Sequence, residues 1–241
     1  MPRFYVSTEL SPGRTLELPE NVVRHLHVLR LKNHEAIVLF NGNGHAYPAR
    51  LTVLEKRRAC AEITAEETPA VESPLHITLI QAVSSGERMD FTLQKSVELG
   101  VAEIRPVLSG RSIVRLSGDR ADKRVARWQE IVLSACEQSG RNIVPPVLPL
   151  VSYCEALAAL PAADVRLLMS LNQAQSLKDI AAEPQAVTFM VGPEGGWTAE
   201  EEAQAFAAGF QAVTLGSRVL RTETASLAAI AAMQTLWGDF V

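Results

Sequence analysis

The sequence predicts a two-domain α/β protein, in which a small β-barrel precedes a larger domain with a mostly parallel sheet. In the first 70 residues, short segments in which apolar and polar residues alternate surround one amphipathic helical stretch, as in a small barrel. From residue 76 onward, apolar runs alternate with amphipathic helical segments, which is typical of parallel strands with helices on both faces. The polar segment Glu66–Pro74 has two prolines and marks the boundary between domains 1–70 and 74–241.

The first domain is predicted to contain four strands and one helix. The spacing of the apolar residues Val22, Val23, Leu26 and Leu29 indicates a helix. The run Asn41-Gly42-Asn43-Gly44 favours a hairpin, because Asn-Gly readily adopts positive φ. The predicted elements are strands at Arg3–Val6, Ala36–Phe40, Tyr47–Leu54 and Arg58–Ala65, and a helix at Asn21–Leu31.

The second domain is predicted to alternate strands and helices. Gly100, Gly140 and Gly209 are typical helix ends, and Thr198 with Glu201 forms a capping box. The predicted strands are His76–Val83, Val101–Leu108, Val165–Ser170, Ala186–Val191 and Ala212–Leu215. The predicted helices are Glu87–Leu99, Asp119–Ser139, Ser152–Leu160, Ser176–Ala182, a helix from Thr198 to Gly209, and Thr222–Trp237.

Charge is distributed unevenly along the chain. The 241 residues carry 23 Lys+Arg and 27 Asp+Glu, a net charge of −4, which by itself argues against a nucleic-acid partner. Residues 145–241, however, hold 4 basic and 10 acidic residues, whereas Arg105–Arg127 holds 7 basic and 2 acidic residues. Two interpretations of this basic stretch remain open: a solvated helix face, or a surface that contacts phosphates.

Several classes of protein are excluded by what the sequence lacks. Its three cysteines are odd in number and lack metal-ligand spacing, so we expect no disulfide framework, no metal and a reducing cytosol. The start of the chain has no apolar run of signal-peptide length, and Ala225–Met233 is too short to span a bilayer. No Gly-x-x-x-x-Gly-Lys-[Ser/Thr] motif is present, which argues against nucleotide hydrolysis.

Two loops that each follow a strand and precede a helix predict a binding site. Val191–Trp197 has three glycines and a proline, so its backbone leaves room over the end of the sheet, where open α/β sheets bind ligands. Leu215–Ala225 adds Arg218, Arg221 and Glu223, with Thr222 as candidate helix cap. The alternatives are an ordinary strand–helix turn and a capped helix with surface arginines.

These two loops, together with Gln94–Val101 and Cys136–Arg141, resemble the bacterial 16S rRNA (uracil(1498)-N(3))-methyltransferases, the RsmE family of the SPOUT superfamily. The stretch from Arg24 to Arg30 is also similar to the N-terminal helix of that family. The resemblance covers essentially the whole chain.

The resemblance implies an N-terminal PUA-like β-barrel and a C-terminal α/β domain with a trefoil knot. It also implies a cytoplasmic homodimer that acts on the 16S rRNA of the small subunit, with S-adenosylmethionine held by the knot loops. By motif match, the cofactor-binding residues are Leu171, Val191, Gly192, Pro193, Glu194, Gly195, Gly196, Leu215, Gly216, Leu220, Thr224 and Ala225.

The reaction implied by the resemblance is methyl transfer to a uracil imide nitrogen, which must lose its proton. We expect Arg218 and Arg221 to favour the deprotonated base electrostatically. Glu194 or Glu223 is expected to contact the cofactor or to accept the proton. An equal alternative for Glu223 is a capping carboxylate at a helix start.

For RNA contact, the sequence offers basic residues in both domains. The candidates are Arg3, Arg24, His25, Arg30, Arg111 and Arg141. For Arg24 and His25, a solvated helix face is the alternative. The roles of four further residues stay open: Lys95 and Glu98 have the spacing of an intrahelical ion pair, and Glu137 and Gln138 either pack on the long helix or meet RNA.

Two other functions remain open at this stage. The first is a ribose 2′-O-methyltransferase of the same superfamily, because a fold does not determine the acceptor atom. The second is a non-catalytic RNA-binding assembly factor with a vestigial cofactor site. Cofactor binding and mapping of the methylated nucleotide distinguish the three.

Overall fold

The computed structural model describes residues 1–180 and 183–240 and divides into two compact units. The first unit comprises Met1–Glu72 and Cys136–Val144, and the second comprises Ser73–Ala135 and Pro145–Val241. The break between residues 72 and 73 lies inside the segment expected as the boundary.

Residues 136–144 differ from the prediction, which placed them in the second domain. The backbone N–H of Tyr5 donates to the Glu137 carboxylate over 3.0 Å, and the N–H of Gly44 donates to the carbonyl of Asn142 over 3.3 Å. These contacts belong to the first unit and join residues about a hundred positions apart, so no local pattern could indicate them.

The first unit contains the predicted strands and helix, and one further strand. Strand β2 was missed because it has only three residues, so the alternation of exposed Thr15, buried Leu16 and exposed Glu17 is too short to be recognised. The described elements are β1 (Arg3–Tyr5), β2 (Thr15–Glu17), α1 (Glu20–Val28), β3 (Ala36–Phe40), β4 (Tyr47–Leu54) and β5 (Ala59–Ile63).

The strands of the first unit form a sheet in the order β1-β3-β4-β5-β2, with β1 and β3 parallel and the other pairs antiparallel. Phe4, Leu26, Ile37 and Leu51 are fully buried in its core. Helix α1 is shorter than predicted. It ends where Arg30 takes a φ of 57° and the N–H of Leu31 bonds back to the carbonyl of Leu26, a left-handed helix end.

The second unit alternates strands and helices as predicted. Its described strands are β6 (His76–Ala82), β7 (Glu103–Leu108), β8 (Val151–Ser152), β9 (Val165–Met169), β10 (Gln175–Ser176), β11 (Ala186–Val191) and β12 (Gln211–Thr214). Its described helices are α2 (Gly86–Glu98), α3 (Asp119–Ser139, whose last residues belong to the first unit), α4 (Tyr153–Ala158), α5 (Ala199–Ala207), α6 (Thr222–Trp237) and a short 3₁₀ helix at Leu177–Asp179.

These seven described strands form one sheet in the order β10-β12-β9-β11-β6-β7-β8, and every pairing is parallel. Strand β9 therefore lies between β12 and β11, so the loops that leave these three strands emerge side by side. This arrangement brings distant parts of the chain to one edge of the sheet. The knot stays a prediction of the resemblance.

A few predicted elements need correction. The helix expected at Ser176–Ala182 is instead strand β10 followed by the 3₁₀ turn, and residues Ala181 and Ala182 lie outside the described residues. The helix expected at Ser152–Leu160 begins at Tyr153, because Ser152 is its cap and accepts the N–H of Glu155. None of the helices in the described ranges has the length and apolarity that a membrane span requires.

Candidate active site

A cavity of about 610 Å³ opens where β9, β11 and β12 end, and the two loops singled out in the sequence form much of its wall. The predicted site residues that line it are Leu171, Val191, Gly192, Pro193, Glu194, Gly196, Leu215, Arg218, Leu220, Arg221 and Ala225. The predicted residues outside its lining are Gly195, Gly216, Glu223 and Thr224. Three further lining residues lie in the two predicted loops without having been named as site residues: Trp197, Val219 and Thr222. The lining residues outside these loops that were not named from the sequence are Arg88, Met169, Ser170, Asn172, Glu202, Val213 and Thr214.

The glycines of the first loop are required by the packing of the chain itself. A Cβ on Gly192 would lie 3.3 Å from the backbone of Gly196, and one on Gly195 would lie 3.1 Å from the Cβ of Arg111. Gly196 adopts a φ of +67°, which an L-residue rarely takes. These glycines are predicted from the sequence to let a ligand approach the backbone closely, and the structure gives each one an intramolecular reason as well.

A buried polar network fixes the position of the first loop relative to helix α6. The Thr222 hydroxyl donates to the Gly192 carbonyl over 2.6 Å and accepts the Gln81 side-chain amide over 3.0 Å. The Ser226 hydroxyl then donates to the other end of the Gln81 side chain over 2.6 Å. Thr222 is therefore not the helix cap that the sequence indicated, since Arg221 occupies that position and makes no side-chain capping bond.

Glu194 of the first loop is bound by the start of helix α2. Its Oε1 accepts the backbone N–H of Ser85 over 3.1 Å and Nη1 of Arg88 over 3.0 Å. Burial by itself raises the pKa of Glu194, but these hydrogen bonds outweigh burial and leave the pKa below its ordinary value. Glu194 is therefore ionised at neutral pH.

Arg88 also reaches a second carboxylate, since its Nε lies 3.9 Å from Oε1 of Glu223 in the first turn of α6. One guanidinium thus stands between two acidic groups from different parts of the chain. The sequence missed Arg88 because 106 positions separate it from Glu194. A usable signal existed: Arg88 lies in the first turn of a helix that directly follows a buried strand.

The cavity has a second polar group near the end of β9. Oε1 of Glu202 accepts the Ser170 hydroxyl over 2.6 Å, and Oε2 accepts the Asn172 side-chain amide over 3.1 Å. Much of the remaining lining is apolar, and Val191 and Val213 are among these residues. The cavity therefore suits a ligand that has both polar and apolar parts.

The second loop is far more open than the first. Arg218, Val219 and Arg221 are all exposed, and Val219 keeps 83% of its surface accessible. On the opposite side of the cavity, Leu171 is 56% exposed. The two arginines are thus placed at the mouth of the cavity, where a large ligand can reach them.

The predicted RNA-binding residues have very different environments. In the first unit, Arg24 and Arg30 are exposed, whereas Arg3 bonds to Asn142 and burial lowers the pKa of its guanidinium. Arg141 is buried at 6% exposure, and its Nη2 lies 2.7 Å from the Glu72 carboxylate. Arg141 is thus enclosed within the first unit and paired with Glu72, so its guanidinium is poorly placed to contact RNA.

His25 is exposed on α1, and its Nδ1 lies 3.9 Å from Glu137. Burial raises the pKa of Glu137, although the hydrogen bond from the Tyr5 amide and the nearby His25 each act to lower it.

Lys95 and Glu98 form an ion pair along helix α2, with 2.7 Å between Nζ and Oε1, which is the intrahelical pair that their spacing suggested. Gln138 is exposed on α3.

In the second unit, Arg111 is exposed, and its guanidinium donates to the Gly195 carbonyl over 3.0 Å. Arg111, which belongs to the basic stretch Arg105–Arg127, therefore lies beside the first cavity loop. Part of the charge of this stretch is neutralised, because Arg105 pairs with Glu103 and Arg127 pairs with Asp90. Within residues 1–180 and 183–240, no group of three or more His, Cys, Asp or Glu side chains is placed to hold a metal ion.

Comparison with known families gives two matches along the chain. An RNA methyltransferase domain profile matches residues 71–234, and an RNA methyltransferase PUA domain profile matches residues 18–64. Among curated proteins, the Buchnera aphidicola protein called ribosomal RNA small subunit methyltransferase E is 30% identical over 244 residues, covering 100% of this chain and 95% of the relative.

Solved structures include close relatives. Ribosomal RNA small subunit methyltransferase E from Neisseria gonorrhoeae, bound to S-adenosylmethionine, is 67% identical over 100% of both chains, with a TM-score of 0.97. A methyltransferase from Legionella pneumophila, also in complex with S-adenosylmethionine, is 35% identical over 99% of this chain and 98% of that one, with a TM-score of 0.95.

Proposed function

Because the chain belongs to the ribosomal RNA small subunit methyltransferase E family, we propose that it transfers a methyl group from S-adenosylmethionine to N3 of a uridine in 16S rRNA. The observation that carries this proposal is the cavity of about 610 Å³, which is walled by the glycine loop on one side and by the arginine loop on the other. A methyl donor inside the cavity would face an acceptor that arrives at its mouth.

The residues of the cavity fit S-adenosylmethionine, which supplies a methyl group on a cationic sulfonium. The flat adenine ring of the adenosine would lie against main chain and apolar side chains. These are the main chain of Gly192–Gly196 and the side chains of Leu171, Leu220 and Ala225. Glu202 is placed to accept hydroxyl hydrogen bonds from the sugar, because each of its oxygens keeps a lone pair beyond its contacts with Ser170 and Asn172.

The acceptor nitrogen must lose its proton before it can attack, which leaves negative charge on the uracil ring. Arg218 and Arg221 lie at the mouth of the cavity, where their charge would stabilise that anion. Their exposure suits this role, since the base arrives from outside the protein.

Two residues of this chain are candidates for accepting the proton, and they differ in their surroundings. Glu194 is held ionised by hydrogen bonds that lower its pKa, so it is a weak base. Its role is better matched to contact with a cationic cofactor. Glu223 lies in the first turn of α6 outside the cavity lining, where its carboxylate also favours the helix start.

We place the RNA substrate on the exposed basic residues. Arg111 and the other exposed basic residues of the Arg105–Arg127 stretch serve the second unit, and Arg24, His25 and Arg30 serve the first. A cytoplasmic homodimer that acts on the small ribosomal subunit completes the proposal and follows from the family.

The decisive experiment is a methylation assay with labelled S-adenosylmethionine on small subunits that lack the mark. Mass mapping of the nucleotide should place the methyl group on the base of one uridine in 16S rRNA. A methyl group on a ribose 2′-oxygen would instead support a 2′-O-methyltransferase. Failure of calorimetry to detect cofactor binding would support a non-catalytic assembly factor.

A further inference from the structure

The contact between Arg88 and the two carboxylates has no role in the function described so far. Arg88 lines the cavity, and its Nη1 donates to Glu194 over 3.0 Å. Behind it, Glu223 lies 3.9 Å from Nε and holds the guanidinium from the other side. The three side chains come from helix α2, the glycine loop and helix α6, so their meeting is a product of the fold.

The hydrogen bonds on Glu194 are unevenly distributed between its two oxygens. The Ser85 amide and Arg88 both donate to Oε1, and the Ser85 hydroxyl and the Glu194 amide also favour the ionised carboxylate. Oε2 has no hydrogen-bond partner among the described residues and is itself closed off from solvent, whereas the side chain as a whole lines the cavity and is 18% exposed. An ionised carboxylate with one unsatisfied oxygen is unfavourable, so its position at the cavity wall favours a ligand that brings positive charge.

The charges around the guanidinium favour a cation. Two carboxylates surround one guanidinium, and Oε2 of Glu223 is likewise buried without a partner in the described part of the chain. The N-termini of helices α2 and α6 offset part of this negative charge. Of the two carboxylates, Glu194 lines the cavity and Glu223 does not.

We propose that Arg88 is a positioning residue that holds the Glu194 carboxylate towards the cationic sulfonium of the cofactor, so that the site prefers the charged methyl donor to its neutral product. The proposal rests on the function proposed above. Methyl transfer removes the positive charge from sulfur, and S-adenosylhomocysteine then loses the attraction that the donor had. Release of the product and rebinding of fresh donor both follow from this difference.

Calorimetric titration of the full-length protein with S-adenosylmethionine and with S-adenosylhomocysteine tests the proposal. Glu194→Gln keeps the shape of the side chain and removes its charge. It should weaken binding of the donor by about tenfold while product binding changes less than about twofold, as expected for loss of one charge-assisted contact. Glu87→Gln, at an exposed position next to Arg88 and outside the cavity lining, is the matched control and should leave both affinities unchanged.

Arg88 is tested by a pair of variants. Arg88→Met should reduce the preference for the donor by a similar factor, because Glu194 loses its fixed position, and Arg88→Lys should restore part of the preference. If Arg88→Met does not fold, Glu194→Gln decides the question alone.

Two results would overturn the proposal. Equal weakening of donor and product in Glu194→Gln would mean that the contact only supports the loop. An unchanged preference in Arg88→Met with a collapse of turnover would mean that Arg88 contacts the RNA base instead. If the wild-type protein binds neither ligand, the proposed function itself fails, which is a separate outcome.

Discussion

The two loops that wall the cavity are built in opposite ways. In the glycine loop, the Gly192 carbonyl, the Gly195 carbonyl and the Glu194 carboxylate each accept a hydrogen bond from another segment of the protein. In the arginine loop, Arg218 and Arg221 are exposed, and Val219 is 83% accessible. The glycine loop is thus held in position by other segments of the protein, whereas the arginine loop presents its charges to solvent.

This difference separates two tasks of the proposed enzyme. A wall whose contacts are satisfied within the chain loses little conformational entropy when it binds a small cofactor. Exposed arginines contribute strongly only when a polyanion or an anionic base reaches them and displaces their water. Substitutions in the glycine loop should therefore affect stability and cofactor affinity together, whereas substitutions of the exposed Arg218 and Arg221 should affect turnover alone.

The largest effect is expected from the arginine loop. Arg221→Ala should lower the single-turnover rate of rRNA methylation by about a hundredfold, the usual consequence of losing one group that stabilises developing negative charge. Cofactor affinity and the free energy of unfolding should stay unchanged. Arg221→Lys, which keeps the charge but loses the planar donors, should retain part of the rate. Unchanged turnover of Arg221→Ala would remove Arg221 from the mechanism.

The next effect is expected from the network that anchors the glycine loop. Thr222→Val has nearly the same shape but leaves the Gly192 carbonyl and the Gln81 amide without their shared hydroxyl. Urea unfolding should show a loss of about 1–3 kcal/mol, the usual cost of unsatisfied buried polar groups. Cofactor affinity should fall as well, because the loop loses its anchor.

Thr235→Val is the matched control for this substitution. Thr235 lies on the same helix, but it is exposed and bonds only to the Ala231 carbonyl one turn earlier. Its replacement should change stability by less than about 0.5 kcal/mol. Equal losses for both variants would show that the Thr222 network does not anchor the loop.

The same contrast explains how much of the molecule could be predicted from sequence. Strand–helix alternation indicated the parallel sheet, because periodicity is a local property of the chain. The Gly-Pro-Glu-Gly-Gly run indicated the first cavity loop for the same reason. The open arginine loop was also predictable, since exposed arginines need no partner to be in place.

What the sequence did not indicate are contacts between distant segments. Arg88 meets Glu194 across 106 positions, and Thr222 meets Gly192 across 30. Both meetings depend on the strand order, which pairs β11 with β6 and places β9 between β11 and β12, and this order is not contained in any periodicity. The sequence pattern therefore suggested Thr222 as a cap and overlooked Arg88.

A smaller effect separates two reasons for glycine. Gly196 and Gly86 each have open space where a Cβ would lie, but only Gly196 has a positive φ, of +67°. Gly196→Ala should therefore cost about 1–2 kcal/mol of stability through backbone strain alone. Gly86→Ala should be neutral or slightly stabilising in the same urea titration, because alanine restricts the unfolded chain. A harmless Gly196→Ala would mean that the loop relaxes more easily than its hydrogen bonds suggest.

The smallest effect is a pH dependence at the anchored wall. The pKa of Glu194 lies below its ordinary value, so the folded protein favours the ionised carboxylate. This contribution to stability is fully present above the ordinary pKa of about 4.3 and is lost as the pH falls through the folded pKa.

Wild type and Glu194→Gln should therefore differ in unfolding free energy by a constant amount from pH 6 to 8, within about 1 kcal/mol. Below about pH 4, the unfolding free energy of the wild type should fall relative to that of Glu194→Gln. A difference that stays constant down to pH 3 would show that Arg88 and the Ser85 amide do not stabilise the ionised form, and the glycine loop would then be less firmly held than its geometry indicates.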